Sequence, residues 1–430
     1  MKVRVKGAFA LVVRIKHWLW RGAVLALVMT ILGGIGVTAQ AATVTKVPAR
    51  AAFVMDATSG QVLYQQNADK KYPIASLSKL LTVYLTVKAI NDGQIGWNDP
   101  VPMSKDLIKL SHNYAYSSLR MKASETFTVK QLVAAAMIAS SNSAATALGE
   151  YVAGNNAKFI QLMNQQSADW GIEAHFISSS GLDNTDLKDF NLVLPDTGAK
   201  EENLVSAKAI TIVAQHLLLA DPEITAISSK TTADINGTPI FNENSCLPGQ
   251  PQYKKESQID GLKTGFTENA KLCFTATYTV NGQRMIATIL GGDTTFSAMN
   301  KLIKQLKKKY QLETTPLTSK QISLANGITT VTAAPIVSQA GVWYLNQSAN
   351  LTTRVQTKLT PAQLSSGTVD AGEPVAQATV TDTTTGAKQQ VMYRSQQNAT
   401  LFADRVVFTT KDKADHLLTA LVQPMNVAFK

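Results

Sequence analysis

The stretch Pro73-Ile-Ala-Ser-Leu-Ser-Lys-Leu-Leu-Thr-Val-Tyr-Leu-Thr-Val87 decides how the rest of the chain is read. Leu77, Leu80, Leu81, Tyr84 and Leu85 recur at helical spacing and predict an apolar stripe. Asn91-Asp-Gly93 ends that helix. Pro73 and Ala75 precede it, so Ser76 falls near its N-terminus, where free N–H groups favour negative charge. Ser76 and Lys79 share one face, because residues three apart on a helix have Cβ atoms about 5–6 Å from each other. A serine hydroxyl is a poor nucleophile until a base takes its proton. A lysine is such a base only when burial or a second cation lowers its pKa. The spacing by itself is common by chance, so its partners must come from elsewhere in the chain.

Towards the N-terminus, residues 1–41 contain Lys2, Arg4, Lys6, Arg14, Lys16 and Arg21 and no acid. An apolar run from Ala23 to Val37 and then Ala39-Gln-Ala41 complete the pattern of a secretory signal peptide. The run is short of the about 20 residues that span a membrane. Cleavage after Ala41 is therefore favoured over an uncleaved anchor, which Gly33-Gly34-Ile35-Gly36 could extend. The chain has 41 basic and 30 acidic residues, or +11; without the six leader cations it has 35 and 30, or +5. That mild excess suits an anionic cell surface. With no aromatic-interleaved basic patch, it does not mark a nucleic-acid binder, and no nucleic-acid partner is expected. The lysines at 301, 304 and 307–309 read as the solvated face of a helix.

Cys246 and Cys273 can pair in an exported protein, or remain buried thiols; two cysteines make no disulfide framework. His17, His112, His175, His216 and His416 are scattered, with no metal-ligand spacing, so no metal or cofactor is expected. A Ser-His-Asp triad needs no closeness in sequence, but the lysine beside Ser76 makes one unnecessary.

Ala51 to Met55 and Gln61 to Tyr64 read as paired strands around the turn Asp56-Ala-Thr-Ser-Gly60. Thr128 caps a helix to about Ala139. Ser140-Ser-Asn-Ser143 follows, on composition a turn, and a helix from Ala144 to Val152 stops at Gly154. Lys271 to Val280 and Arg284 to Leu290 are joined by Asn281-Gly282, a strong hairpin signal. Met299 to Leu306 is helical. Strands at both ends with helices between predict one sheet built from both ends of the unit. Leu312 to Thr318 reads as a linker. Beyond it, Ile322–Val337, Gly341–Leu345, Leu351–Leu359, Ala376–Thr381, Gln389–Arg394 and Val406–Thr409 read as short strands, with Trp343 in their core. Ala414 to Val422 is weakly amphipathic and could touch a membrane surface.

Three elements occur in order: Ser76-x-x-Lys79, Ser140-x-Asn142 and Lys263-Thr-Gly265. With Asp56-Ala-Thr-Ser-Gly-Gln-Val-Leu-Tyr64, Phe127-Thr-Val129, Glu150-Tyr-Val-Ala-Gly154, Gly181-Leu-Asp183 and Asp260-Gly-Leu-Lys-Thr-Gly265, the chain resembles the low-molecular-mass penicillin-binding proteins, serine D-alanyl-D-alanine carboxypeptidases. The resemblance covers roughly residues 45–310. It implies an α/β (α+β) serine β-lactamase-like catalytic domain at 42–312, with an antiparallel sheet and a helical cluster. A small all-β domain at 313–430 would follow. It implies that Ser76 attacks the D-Ala-D-Ala bond of a peptidoglycan stem peptide, with Lys79 as base and Ser140 relaying a proton to the leaving group. Asn142 would hold the substrate amide and Lys79. Lys263 would lower the pKa of Lys79 and attract the substrate carboxylate, which Thr264 would bind. Backbone N–H groups of Ser76 and Phe266 would form the oxyanion hole, and β-lactams would acylate the same serine. Gly265 leaves the strand edge open for a substrate lying along it, added as an extra strand. Exported enzyme, β-lactamase-like hydrolase and silent wall-binding protein are the three readings. No Glu-x-x-Asn segment follows Asn142, as the β-lactamase reading would need.

Overall fold

The computed structural model describes residues 44–324, 329–345, 350–384 and 386–401. The leader at 1–41, the strand expected at 406–409 and the segment 414–422 lie outside them.

A five-stranded antiparallel sheet organises the first part of the chain. Its order is Ile259–Thr267, Lys271–Val280, Gln283–Gly292, Ala51–Asp56, Val62–Gln66. Both ends of the unit contribute, as the pattern of strands and helices predicts. Asn281 and Gly282 have φ of 49° and 80°, the left-handed pair that a two-residue hairpin requires. Alternation along Ala51–Asp56 supplies two cores. Ala51, Phe53 and Met55 face a large helical cluster, whereas Ala52 and Val54 face the helix Thr295–Lys309. The sheet is therefore covered on both sides. The strand carrying Lys263 lies at its edge.

On the helical side, Ala207–Ala220 packs on the sheet and Lys79–Asn91 packs behind it. The sequence predicts one apolar stripe on Lys79–Asn91. Instead, Lys79 through Val87 and Ala89 are all buried, because other helices close over the opposite face. The helix Val129–Ile138 starts with the Thr128 capping box, and Asn142–Ala153 ends at Gly154 with φ of 85°. A small sheet, Lys71–Pro73, Leu204–Ser206 and Ala174–His175, leads the chain into Ser76.

Leu312 to Thr318 is no free linker. Tyr310–Pro316 is a strand that continues directly from the helix and pairs along its length with Gln339–Leu345, Leu312 opposite Trp343. Glu313, Thr314, Thr315 and Pro316 gave it a turn-like composition; pairing and burial override that. Trp343 is buried beside the five-stranded sheet, and its Nε1–H donates to Asp56 Oδ2 at 2.7 Å. Gln61 brackets the Trp343 backbone, accepting from its N–H at 2.9 Å and donating to its carbonyl at 2.7 Å. Beyond this seam the order Lys320–Leu324, Thr329–Pro335, Lys388–Ser395, Pro374–Asp382, Leu351–Thr357 forms a second antiparallel sheet with its own core. The helix Pro361–Ser366, capped by Thr360, is an element that the strand pattern did not anticipate.

Trp343→Phe keeps an aromatic ring but removes the donor to a carboxylate that is only 2% exposed. The expected loss is about 1–3 kcal/mol, read as a lower urea midpoint for the five-stranded sheet. An unchanged midpoint would mean that this bond does not help hold the two parts together.

Candidate active site

Ser76 does not sit on the α-helix that its spacing predicts. It lies in a 3₁₀ turn, Ala75–Ser78, and the α-helix begins at Lys79. In a 3₁₀ turn side chains at i and i+3 eclipse, which draws Ser76 Oγ and Lys79 Nζ to 2.8 Å. Ala75 enters the turn with φ of 48°. Two glycines allow its backbone to be approached. A Cβ on Gly181, whose φ is 89°, would lie 2.0 Å from the Ala75 carbonyl oxygen. A Cβ on Gly265 would lie 3.0 Å from both the Ile74 carbonyl oxygen and the Ser76 nitrogen. Gly265 is thus required by the close packing of its strand on the Ser76 turn, a reason different from the open strand edge expected for it. Ser78 braces the turn from behind. Its Oγ donates to the Ala75 carbonyl and accepts from Asn203 Nδ2, both at 2.7 Å.

Lys79 is fully buried and lies 2.7 Å from Asn142 Oδ1 and 2.6 Å from the Ser180 carbonyl oxygen. Both of those atoms can only accept. Burial holds the Lys79 pKa well below the ordinary lysine value; the neighbouring Lys263 charge lowers it further and Glu243 opposes. A neutral amine has two hydrogens and one lone pair. Once neutral, the amine would give its two hydrogens to Asn142 and Ser180 and leave its lone pair towards Ser76 Oγ, 2.8 Å away. Burial and distance are what a lysine would need to serve as a base for a serine.

The Ser140 cluster is a turn, as its composition suggests, and it also builds the site. Ser140 is buried with φ of 56°, and Ser141 caps the next helix by accepting from Ala144 N–H at 3.2 Å. Asn142, the first residue of that helix, is therefore aimed at Lys79. The Ser117 carbonyl receives both the Asn142 backbone N–H and Nδ2, each at 3.0 Å. Lys263 is buried, and its Nζ donates to the Thr264 carbonyl at 2.9 Å; burial pulls its pKa down to about 8, against the opposing charge of Glu243. Lys263 thus acts on Lys79 through its field, second to burial. Thr264 Oγ1 donates to Glu243 Oε2 at 3.4 Å. The Phe266 ring is 59% exposed beside this edge.

Ser117, Ser180 and Glu243 were missed in the sequence. Ser117 and Ser180 act through backbone carbonyls, which carry no side-chain signature. Glu243 lies twenty residues before Lys263 in a segment without periodicity. Cys246 and Cys273 are free and buried, so the alternative of a disulfide falls away; burial pushes each thiol up to about 12. Among the described residues, no group of three His, Cys, Asp or Glu could hold a metal ion, and no helix is long and apolar enough to cross a membrane.

A family model described as D-alanyl-D-alanine carboxypeptidase matches residues 37–294. Among curated relatives, the D-alanyl-D-alanine carboxypeptidase DacF of Bacillus subtilis (strain 168) is 27% identical over 284 residues, 64% of this chain and 66% of the relative. The corresponding DacA of Escherichia coli (strain K12) is 28% identical over 254 residues, 58% of each chain. The chain thus spans somewhat under two thirds of these relatives' own length. Among solved structures, a peptidoglycan synthesis regulatory factor (PBP3) from Streptococcus pneumoniae superposes with a TM-score of 0.69 at 27% identity, covering 82% of this chain and 100% of its own. Penicillin-binding protein D2 from Listeria monocytogenes, solved in its ampicillin-bound form, gives 0.50 at 29% identity, over 62% of this chain and 98% of its own. The family match begins ahead of Ser76 and ends just past Gly292, the last residue of the catalytic sheet. It therefore takes in the whole unit that builds the site, and the chain belongs to the D-alanyl-D-alanine carboxypeptidase family, serine hydrolases with the penicillin-binding-protein fold.

Proposed function

We propose that this chain is an exported serine D-alanyl-D-alanine carboxypeptidase that removes the terminal D-alanine from peptidoglycan stem pentapeptides. The observation that carries this reading is the Lys79 amine, buried and held by two carbonyl oxygens, 2.8 Å from Ser76 Oγ. Ser76 Oγ attacks the carbonyl carbon between the two D-alanines and its proton passes to Lys79 Nζ. The N–H groups of Ser76 and Phe266 receive the oxyanion. Collapse expels D-alanine, whose nitrogen takes a proton relayed by Ser140, and water then hydrolyses the ester on Ser76 with Lys79 as base. Asn142 holds the substrate amide while it fixes Lys79. Lys263 and Thr264 receive the terminal carboxylate. The free edge of Ile259–Thr267 supports a peptide bound as an added strand. β-Lactams acylate Ser76 in place of the peptide.

Export follows from the leader at 1–41 and from the extracytoplasmic location of the substrate. The catalytic domain is 42–312. The β-rich part, 313–430, serves as a spacer or interaction module whose last residues can touch the membrane surface.

Incubation with a fluorescent penicillin and with a pentapeptide ending in two D-alanines should give a labelled protein and free D-alanine. Ser76→Ala should lose both; retention of either would rule out the mechanism. Fast penicillin turnover without D-alanine release would instead indicate a β-lactamase, and neither signal a silent wall-binding protein.

Lys263→Ala should lower acylation by on the order of a hundredfold while the protein stays folded. The pH profile adds a sign. The Lys263 cation disfavours protonated Lys79, so its removal raises the Lys79 pKa, and the acid limb of the acylation rate moves to higher pH. Stopped-flow acylation across pH reads this; an unmoved limb would remove Lys263 from the electrostatics of the base.

A further inference from the structure

We propose that Glu243 is a specificity-determining residue: its carboxylate competes for the anion position at Thr264 and tempers the preference of the site for ligands with a C-terminal carboxylate over their uncharged amides or esters. This rests on the reading above in one respect, that Thr264 receives the ligand's terminal group.

Glu243 belongs to an irregular segment between the hairpin strand Thr238–Phe241 and the edge strand Ile259–Thr267. Its side chain spans two walls of the site. Oε2 accepts from Thr264 Oγ1 at 3.4 Å on the sheet side, and Oε1 accepts from Ser117 Oγ at 3.1 Å on the helical side. Ser117 is also the residue whose carbonyl fixes Asn142. The carboxylate therefore bridges the hydroxyl beside Lys263 and the loop that supports the Lys79 partner. Its charge opposes the lowering of both lysine pKa values, which places it within electrostatic reach of each.

A threonine hydroxyl has one hydrogen. While Thr264 gives it to Glu243, no other carboxylate can receive it, so an anionic ligand must displace Glu243 and then stand beside a like charge. An uncharged end meets no such penalty. A C-terminal carboxamide also offers N–H groups that Glu243 can accept. Glu243 is solvent-exposed, so its side chain has room to withdraw when an anion does bind. The selection is thus graded, and it concerns binding more than the bond-making step.

The test compares two ligand pairs on the full chain and on Glu243→Gln, which keeps the shape and removes the charge. One pair is benzylpenicillin and its methyl ester, followed as acylation of Ser76 by intact mass. The other is a pentapeptide ending in D-Ala-D-Ala and its C-terminal amide, followed as release of D-alanine and D-alaninamide. In the variant the acid-to-neutral ratio of second-order rate constants should rise about tenfold in both pairs, through the apparent binding constant. Glu243→Asp should keep a ratio near that of the wild type. Equal changes in both members of a pair would reduce Glu243 to a structural role and overturn the proposal, while D-alanine release would leave the carboxypeptidase reading intact. A raised penicillin ratio without any peptide turnover would support the role of Glu243 and overturn the carboxypeptidase reading. No acylation by either penicillin, in either protein, would overturn both.

Discussion

The lone pair of Lys79 is the feature on which the other arrangements depend. A lysine ammonium taken out of water without a counter-ion costs several kcal/mol, so burial here favours the neutral amine. Neutrality alone would leave the amine free to turn. The Asn142 amide and the Ser180 carbonyl take its two hydrogens and fix the direction of the remaining electron pair. Each of these acceptors is held in turn. Asn142 is tied twice to Ser117, and the segment before Ser180 is tied down by Asn203 and by Thr82, whose Oγ1 donates to the Ser179 carbonyl at 2.7 Å. Packing thus holds the Lys79 amine against the Ser76 hydroxyl.

The site lies at the seam between a sheet and a helical cluster, and neither half contains it alone. The turn carrying Ser76 and the helix carrying Asn142 belong to the helical side, whereas Lys263, Thr264 and Phe266 lie on the sheet edge. Their approach is limited by backbone contact, and glycine at 181 and 265 is what permits it. A methyl group at 181 would collide with a carbonyl oxygen that cannot move without moving Ser76. The tail is fastened to the outer side of the same sheet, where Trp343 and Gln61 interlock at the Asp56 turn. The sheet is therefore anchored on the side remote from Ser76, and among the described residues no strand pairs with its Lys263 edge.

Local signals in the chain were strong where backbone preference and tertiary need agree. Asn281-Gly282 makes its hairpin, Thr128 caps its helix and Gly154 stops the next one, because each demand is met within a few residues. Misreadings arose where distant contacts decide. Tyr310–Pro316 has the composition of a linker and becomes a strand through Trp343 and through the Tyr310 hydroxyl, which donates to the Leu63 carbonyl at 2.9 Å. The helix after Ser76 shows an apolar stripe by periodicity yet is buried on every side, because the cluster around it was assembled from remote segments.

By itself the sequence determined the three motifs, their order, and the pairing of Ser76 with Lys79, since residue type and a spacing of three need only a local turn. It also determined a sheet drawn from both ends of the unit, through hydrophobic alternation. Only the tertiary structure decided that Lys79 is fully buried, that Ser180 and Asn142 hold its amine, and that Gly265 is needed for close backbone approach. It alone set Glu243 against Thr264. Those facts rest on burial, field and distance between segments far apart in the chain, and such quantities have no counterpart in the order of residues.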